Sequence, residues 1–79
     1  MKTVRFRATT EAWHEKSTVC QRFVTSDERE FEASLFVTER EWKRYKEDEK
    51  DIVRARLLEK AEMDLTKATG KQAIYSMSL

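Results

Sequence analysis

Hydrophobic and polar positions alternate with a period of two in three early segments and again near the C-terminus, with a helical period between. From Lys2 to Thr9, Val4, Phe6 and Ala8 point one way and Thr3, Arg5 and Arg7 the other, as in a half-buried strand. A second β-rich run, Ser17 to Thr25, puts Val19 and Phe23 on one face and Cys20 and Val24 on the other. A third, Phe31 to Val37, groups Phe31, Ala33, Leu35 and Val37 and opposes Phe36 to them. Ser26 to Arg29 reads as a turn, and Glu11 to Lys16 as a loop around Trp13, because Asn-Gly and Asp-Gly hairpin turns are missing.

The segment Val37-Thr-Glu-Arg-Glu-Trp42 predicts a helix start. Thr38 and Glu41 have the spacing of a capping box, and Val37 and Trp42 that of the accompanying hydrophobic staple. The helix can run to Thr69, where Gly70 supplies the left-handed conformation that ends it. Glu39–Lys43, Arg44–Asp48 and Lys60–Asp64 are opposite-charge pairs at helical spacing. After Gly70, Ala73, Tyr75, Met77 and Leu79 share one face of a last strand over 72–78.

On a helical wheel the 39–69 segment is irregular. Trp42, Tyr45, Ile52 and Val53 cluster on one side, while Leu57, Leu58, Ala61, Leu65 and Ala68 cluster roughly 140° away. Lys46 to Asp51 between them holds no apolar residue, yet nothing in it is a helix breaker. Two readings follow. The helix breaks in or near this run into two shorter helices packed on one core, or it stays continuous or gently bent, about 46 Å long, and overhangs strands of about 23 Å. The second is the one expected. The fold expected is α+β in the order β-β-β-α-β. Strands fall over about 2–9, 17–25 and 31–37 in an antiparallel meander, followed by one long helix and a returning strand. The helical crossover would allow the third and last strands to pair in parallel.

The whole is a single domain of 79 residues. At 39% charged, disorder is worth testing, but 16 basic and 15 acidic residues nearly cancel and eight aromatics sit in periodic segments. A chain this short buries a modest core and commonly needs a staple. Cys20 is the sole cysteine and His14 the sole histidine, so neither a disulfide nor an ordinary zinc site is expected. Oligomerisation is the staple left open. A homodimer is expected through the rotated helical stripe, Leu57, Leu58, Ala61 and Leu65, packed antiparallel across a two-fold axis. The longest apolar run is Leu35-Phe36-Val37 and the N-terminal segment lacks an apolar signal core, so a cytoplasmic protein with no membrane span is expected.

Catalytic chemistry finds little support. His14 lacks a companion nucleophile, Cys20 reads as a strand core filler, and Glu47, Asp48, Glu49 and Asp51 lack the spacing and glycine of a calcium loop. Gly70-Lys71 lacks the first glycine of a phosphate loop. No enzyme activity and no cofactor or metal are expected. Residues 1–25 carry Lys2, Arg5, Arg7, Lys16 and Arg22 against Glu11 and Glu15, so Arg5, Arg7 and Arg22 form a candidate nucleic-acid face. Against it, Phe6 points away from the arginines, and residues 26–50 hold nine acids against six bases. The leading expectation is a binding module acting by protein–protein contact, a small regulator or inhibitor. In its size and its lack of proline it is similar in style to accessory proteins of bacteriophages and mobile elements, a likeness that no motif carries.

Overall fold

A computed structural model describes residues 2–77. In chain order the elements are β1 (Thr3–Ala8), β2 (Trp13–Glu15), β3 (Thr18–Thr25), β4 (Glu30–Phe36), α1 (Glu39–Arg44), α2 (Glu47–Thr69) and β5 (Gln72–Tyr75). Together they form a small α+β domain, a mixed sheet with α2 packed on one face. β3 is the organising strand. Along one side it pairs antiparallel with β4, from Thr18↔Phe36 to Val24↔Glu30. Along the other it meets β1, with Ala8 opposite Phe23, and β2, with Trp13 opposite Cys20.

β1 and β2 lie in one line, interrupted by Thr9–Ala12 where the partner strand spends only Gln21 and Arg22. Thr10 holds this bulge: its hydroxyl accepts from the Arg22 N–H at 3.2 Å and its carbonyl from Gln21 Nε2 at 3.0 Å. The segment expected as a plain loop over Glu11–Lys16 thus contains a short strand. Strand propensity was not its signal. Trp13 and His14 alternate across the sheet, and both faces hold them.

β5 pairs in parallel with β1, from Thr3↔Gln72 to Phe6↔Tyr75, and not with the third strand. The crossover through α2 passes over β3 and β1 before the chain re-enters the sheet. β5 is described as a strand to Tyr75 only, with Met77 86% exposed, so the expected face-sharing ends at Ala73 and Tyr75. The expected positions 78 and 79 lie outside the described residues.

The helix breaks beside the charged run, as the first of the two readings has it, and the expected continuous helix is not found. Tyr45 (φ −67°, ψ 136°) and Lys46 (φ −82°, ψ 170°) are extended and separate α1 from α2. α1 starts as expected: Thr38 Oγ1 accepts from the Glu41 N–H at 3.2 Å, and the Glu41 carboxylate accepts from Thr38 N–H. α2 restarts with Glu47, Asp48 and Glu49 in its first turn, where carboxylates suit the positive dipole end. Glu49 also accepts from the Lys46 N–H at 3.1 Å. The charged run that looked like a solvated mid-helix face is therefore a second helix N-terminus. Of the expected pairs, Glu39–Lys43 forms at 3.0 Å, whereas Arg44 and Asp48 are divided by the break. Gly70 ends α2 at φ 71° with its N–H on the Thr66 carbonyl at 2.8 Å, as expected.

The break changes what α2 buries. Val53, Leu57, Ala61 and Leu65 form one stripe at spacing four, all buried, and Leu57 and Ala61 are wholly so. They lie in one core with Phe6, Val19, Phe23, Ala33, Val37 and Ala73. Phe6 is its hub, with ring centroids 5.6 Å from Phe23, 5.8 Å from Phe31 and 5.5 Å from Tyr75. Ile52, grouped with Trp42 on the wheel of an unbroken helix, is 56% exposed. The dimer stripe is corrected accordingly. Leu57, Ala61 and Leu65 face this chain's own sheet, and only Leu58 of the four remains half-exposed.

These placements separate two magnitudes. Leu57→Ala empties a fully buried site and should cost about 2–5 kcal/mol, whereas Thr38→Ala removes an exposed cap worth about 1 kcal/mol. Urea unfolding followed by circular dichroism measures both, and similar losses in the two variants would contradict the assigned core.

Candidate functional site

With α2 on one face, the other face of the sheet is uncovered, and the strand register determines what it shows. Side chains directly opposite each other on paired strands share a face. Arg5 stands beside Ile74; Arg7, Val24 and Glu30 make a row; Arg22 is opposite Glu32; Trp13, Cys20 and Ser34 make another row; Thr18 is opposite Phe36. The three arginines singled out from the sequence are thus brought to one surface. The structure adds two aromatic residues that alternation alone did not place with them, Trp13 and Phe36, the latter 75% exposed. Trp13 lies on a strand that local alternation does not mark, and the neighbours of Phe36 are set by strand pairing.

The same face carries acids. Arg22 Nε lies 3.5 Å from Glu32 Oε1, both side chains largely in water, so the pair contributes little to stability. Arg7, Glu28 and Glu30 border a shallow cleft of about 470 Å³ that Thr9, Val24, Thr25 and Ser26 complete. Positive and negative groups therefore interleave around a discontinuous apolar surface.

The rim of the cleft is stiffened by the turn into β4. Arg29 donates to Asp27 Oδ2 from Nε at 2.8 Å and Nη2 at 2.6 Å, while the Thr25 hydroxyl donates to Asp27 Oδ1. Thr25 and Arg29 close the turn with Thr25 N–H on the Arg29 carbonyl at 2.9 Å. Glu28 within it adopts φ 65°, a conformation uncommon for a residue with a side chain. The hydrogen bonds from Arg29 first, and Thr25 second, lower the Asp27 carboxyl to about 2.

The other residues with candidate chemistry are engaged structurally. His14 Nε2 lies 2.8 Å from the Val37 carbonyl, an acceptor, so that nitrogen carries the proton. Its ring stacks on Trp42 at 5.7 Å and 10°, and Lys50 Nζ sits 4.8 Å from the centroid of the same indole. This stack pins α1 to β2. Cys20 is buried between Trp13 and Ser34 on the sheet, with its sulfur 3.3 Å from Thr18 Oγ1. Of the carboxylates at the α2 start, Glu49 caps the backbone, while Asp51 and Glu47 meet Arg54 at 2.6 and 3.6 Å. Among the described residues no cluster of three or more His, Cys, Asp or Glu could hold a metal ion, and no helix is long and apolar enough to cross a membrane.

Compared with known proteins, the chain matches no family, no curated protein and no solved structure.

The Asp27 turn generates a pH test with a definite sign. A carboxyl whose folded value is depressed stabilises the fold above its ordinary value of 3.8, and that contribution is lost as pH falls through about 2. Asp27→Asn should therefore unfold more easily near neutrality and lose less stability than the parent chain between those values. Denaturation midpoints measured at a series of acid pH values check this, and parallel curves for the two proteins would refute it.

Proposed function

We propose that the protein is a non-enzymatic binding module that acts by protein–protein contact through its uncovered sheet face, as a small regulator or inhibitor of a cellular or host protein. The observation carrying this reading is Phe36, 75% exposed on a face that also holds Trp13, Ile74 and three arginines. Tryptophan and arginine are the residues most often found to dominate protein interfaces, set within a mixed polar surround. The helical stripe supports the reading by subtraction. It is consumed by the core, and the sheet face holds Trp13, Phe36 and three arginines together. The site of action on this reading is the cytoplasm, where a lone buried thiol such as Cys20 stays reduced.

A nucleic-acid face is the alternative, since Arg5, Arg7 and Arg22 do share a surface with an exposed aromatic. The acids favour the protein-contact reading. Glu32 holds Arg22 in an ion pair and Glu30 shares a row with Arg7, so a phosphate approaching either arginine also meets a carboxylate. A protein surface with alternating charge fits such a face better than a uniformly anionic chain.

Site-specific photocrosslinking in the native cell tests the proposal. A photoreactive residue at position 36 should yield discrete protein adducts that disappear in an Arg5→Glu/Arg7→Glu background, and one at the exposed Met63 on α2 should not. Equal labelling from both positions, or none from 36, contradicts it. Steeply salt-dependent oligonucleotide binding lost in Arg5→Ala/Arg7→Ala would establish the nucleic-acid reading instead.

A further inference from the structure

We propose that two copies of this chain join along β5, antiparallel about a two-fold axis near Tyr75, into one continuous sheet. The sheet ends on β4 at one side, and on β5 with the three-residue β2 at the other. An exposed edge invites a further strand unless something blocks it. β4 is blocked: Lys60 Nζ donates to the Ser34 carbonyl at 2.6 Å, and Glu30 and Glu32 would set like charges against a second copy. β5 differs. No residue from Gln72 to Leu79 is charged, the longest such run in a chain that is 39% charged.

The hydrogen-bond pattern defines what that edge offers. Gln72 and Ser76 direct their N–H groups at Lys2 and Phe6 of the β1 side, at 3.3 and 2.9 Å. By alternation Ala73 and Tyr75 turn their backbone groups outward. Ala73 N–H is taken by Thr66 Oγ1 at 3.1 Å, which leaves the Ala73 carbonyl and both groups of Tyr75 facing out. A two-fold axis at Tyr75 lets the two Tyr75 residues exchange both bonds. It also brings each Met77 N–H to the other copy's Ala73 carbonyl; because the Ala73 N–H stays on Thr66, this flanking pair makes one bond where a regular ladder makes two.

Side chains agree with the same axis. Thr66 reaches β5 while Lys60 reaches β4, so the α2 row at spacing four through Arg54, Leu58 and Glu62 faces the β5 side. Leu58 and Tyr75 line one groove of about 230 Å³ with Phe23 and Ala55. Centred on Leu58, antiparallel rows place Arg54 of each copy toward Glu62 of the other. The seam is thus apolar at Leu58, Ile74 (40% exposed) and Met77 (86% exposed), and charge-complementary beside them. Leu58 keeps a role in self-association, through an edge and not through the helix stripe.

Light scattering and sedimentation of the intact protein at high micromolar concentration should give twice the 9.4 kDa chain mass. Met77→Asp should raise the dissociation constant by about tenfold or more, with an unchanged circular dichroism spectrum, because a carboxylate would be desolvated at the seam. Glu62→Arg should weaken the dimer, and Arg54→Glu/Glu62→Arg should restore it; failure to restore refutes the antiparallel register. Phe36→Asp, on the opposite edge strand, should leave the dimer intact. A monomer at that concentration overturns the proposal, as does a dimer that survives Met77→Asp or is lost with Phe36→Asp.

Discussion

Burial of the Val53–Leu57–Ala61–Leu65 stripe on the aromatic floor of Phe6, Phe23, Phe31 and Tyr75 governs the rest of the structure. Each large side chain fully buried contributes roughly 1.5–3 kcal/mol. On an unbroken helix Trp42 and Leu65 would point roughly 140° apart, whereas here the indole seats on His14 and Leu65 on the core. Breaking it forfeits a few intrahelical hydrogen bonds, each worth about 0.5–1.5 kcal/mol net. Part of that is recovered, because Glu49 takes the Lys46 N–H and the Glu47–Asp48–Glu49 turn favours a helix start. The packing term wins, and the helix breaks.

The two extended residues, Tyr45 and Lys46, also let the short α1 segment serve a different purpose. Trp42 sits between His14 and Lys50, so α1 is tied to β2 and to the start of α2 by one indole. Six residues would not hold helical structure in isolation. The stack and the Thr38–Glu41 capping box supply what length does not. A lone histidine that invites a catalytic reading thus has a mechanical role, and the buried Cys20 a packing one.

Because α2 covers a single face, the other must face solvent or a partner. Antiparallel sheets tolerate this when the exposed face is polar, and here most of it is. Phe36, Trp13 and Ile74 are the exceptions, set among Arg5, Arg7, Arg22, Glu30 and Glu32. The arrangement follows from β3 holding β4 on one side and the β1–β2 line on the other. Residues separated by many positions in the chain then stand within one cross-strand row.

Local signals in the sequence determined the three main strands, the Thr38 helix start, the Gly70 stop and the α+β class, because each rests on neighbours within a few residues. Period-two alternation, a capping box and a left-handed glycine need no distant partner to be read. The tertiary structure alone decided the break at Tyr45–Lys46, the β2 strand, the β1–β5 pairing and the membership of the open face. The break is decided by distant surfaces: nothing in Lys46–Asp51 disfavours a helix, and what lies to either side packs elsewhere, Trp42 on His14 and the Leu57 stripe in the sheet core. The fate of Leu57, Ala61 and Leu65 has the same cause, since a stripe reads identically in sequence whether its partner is another copy or its own sheet. Arg5, Arg7 and Arg22 were legible as a cluster because they lie in adjoining strands, but the glutamates that offset them enter through β4 pairing, a contact no local period encodes.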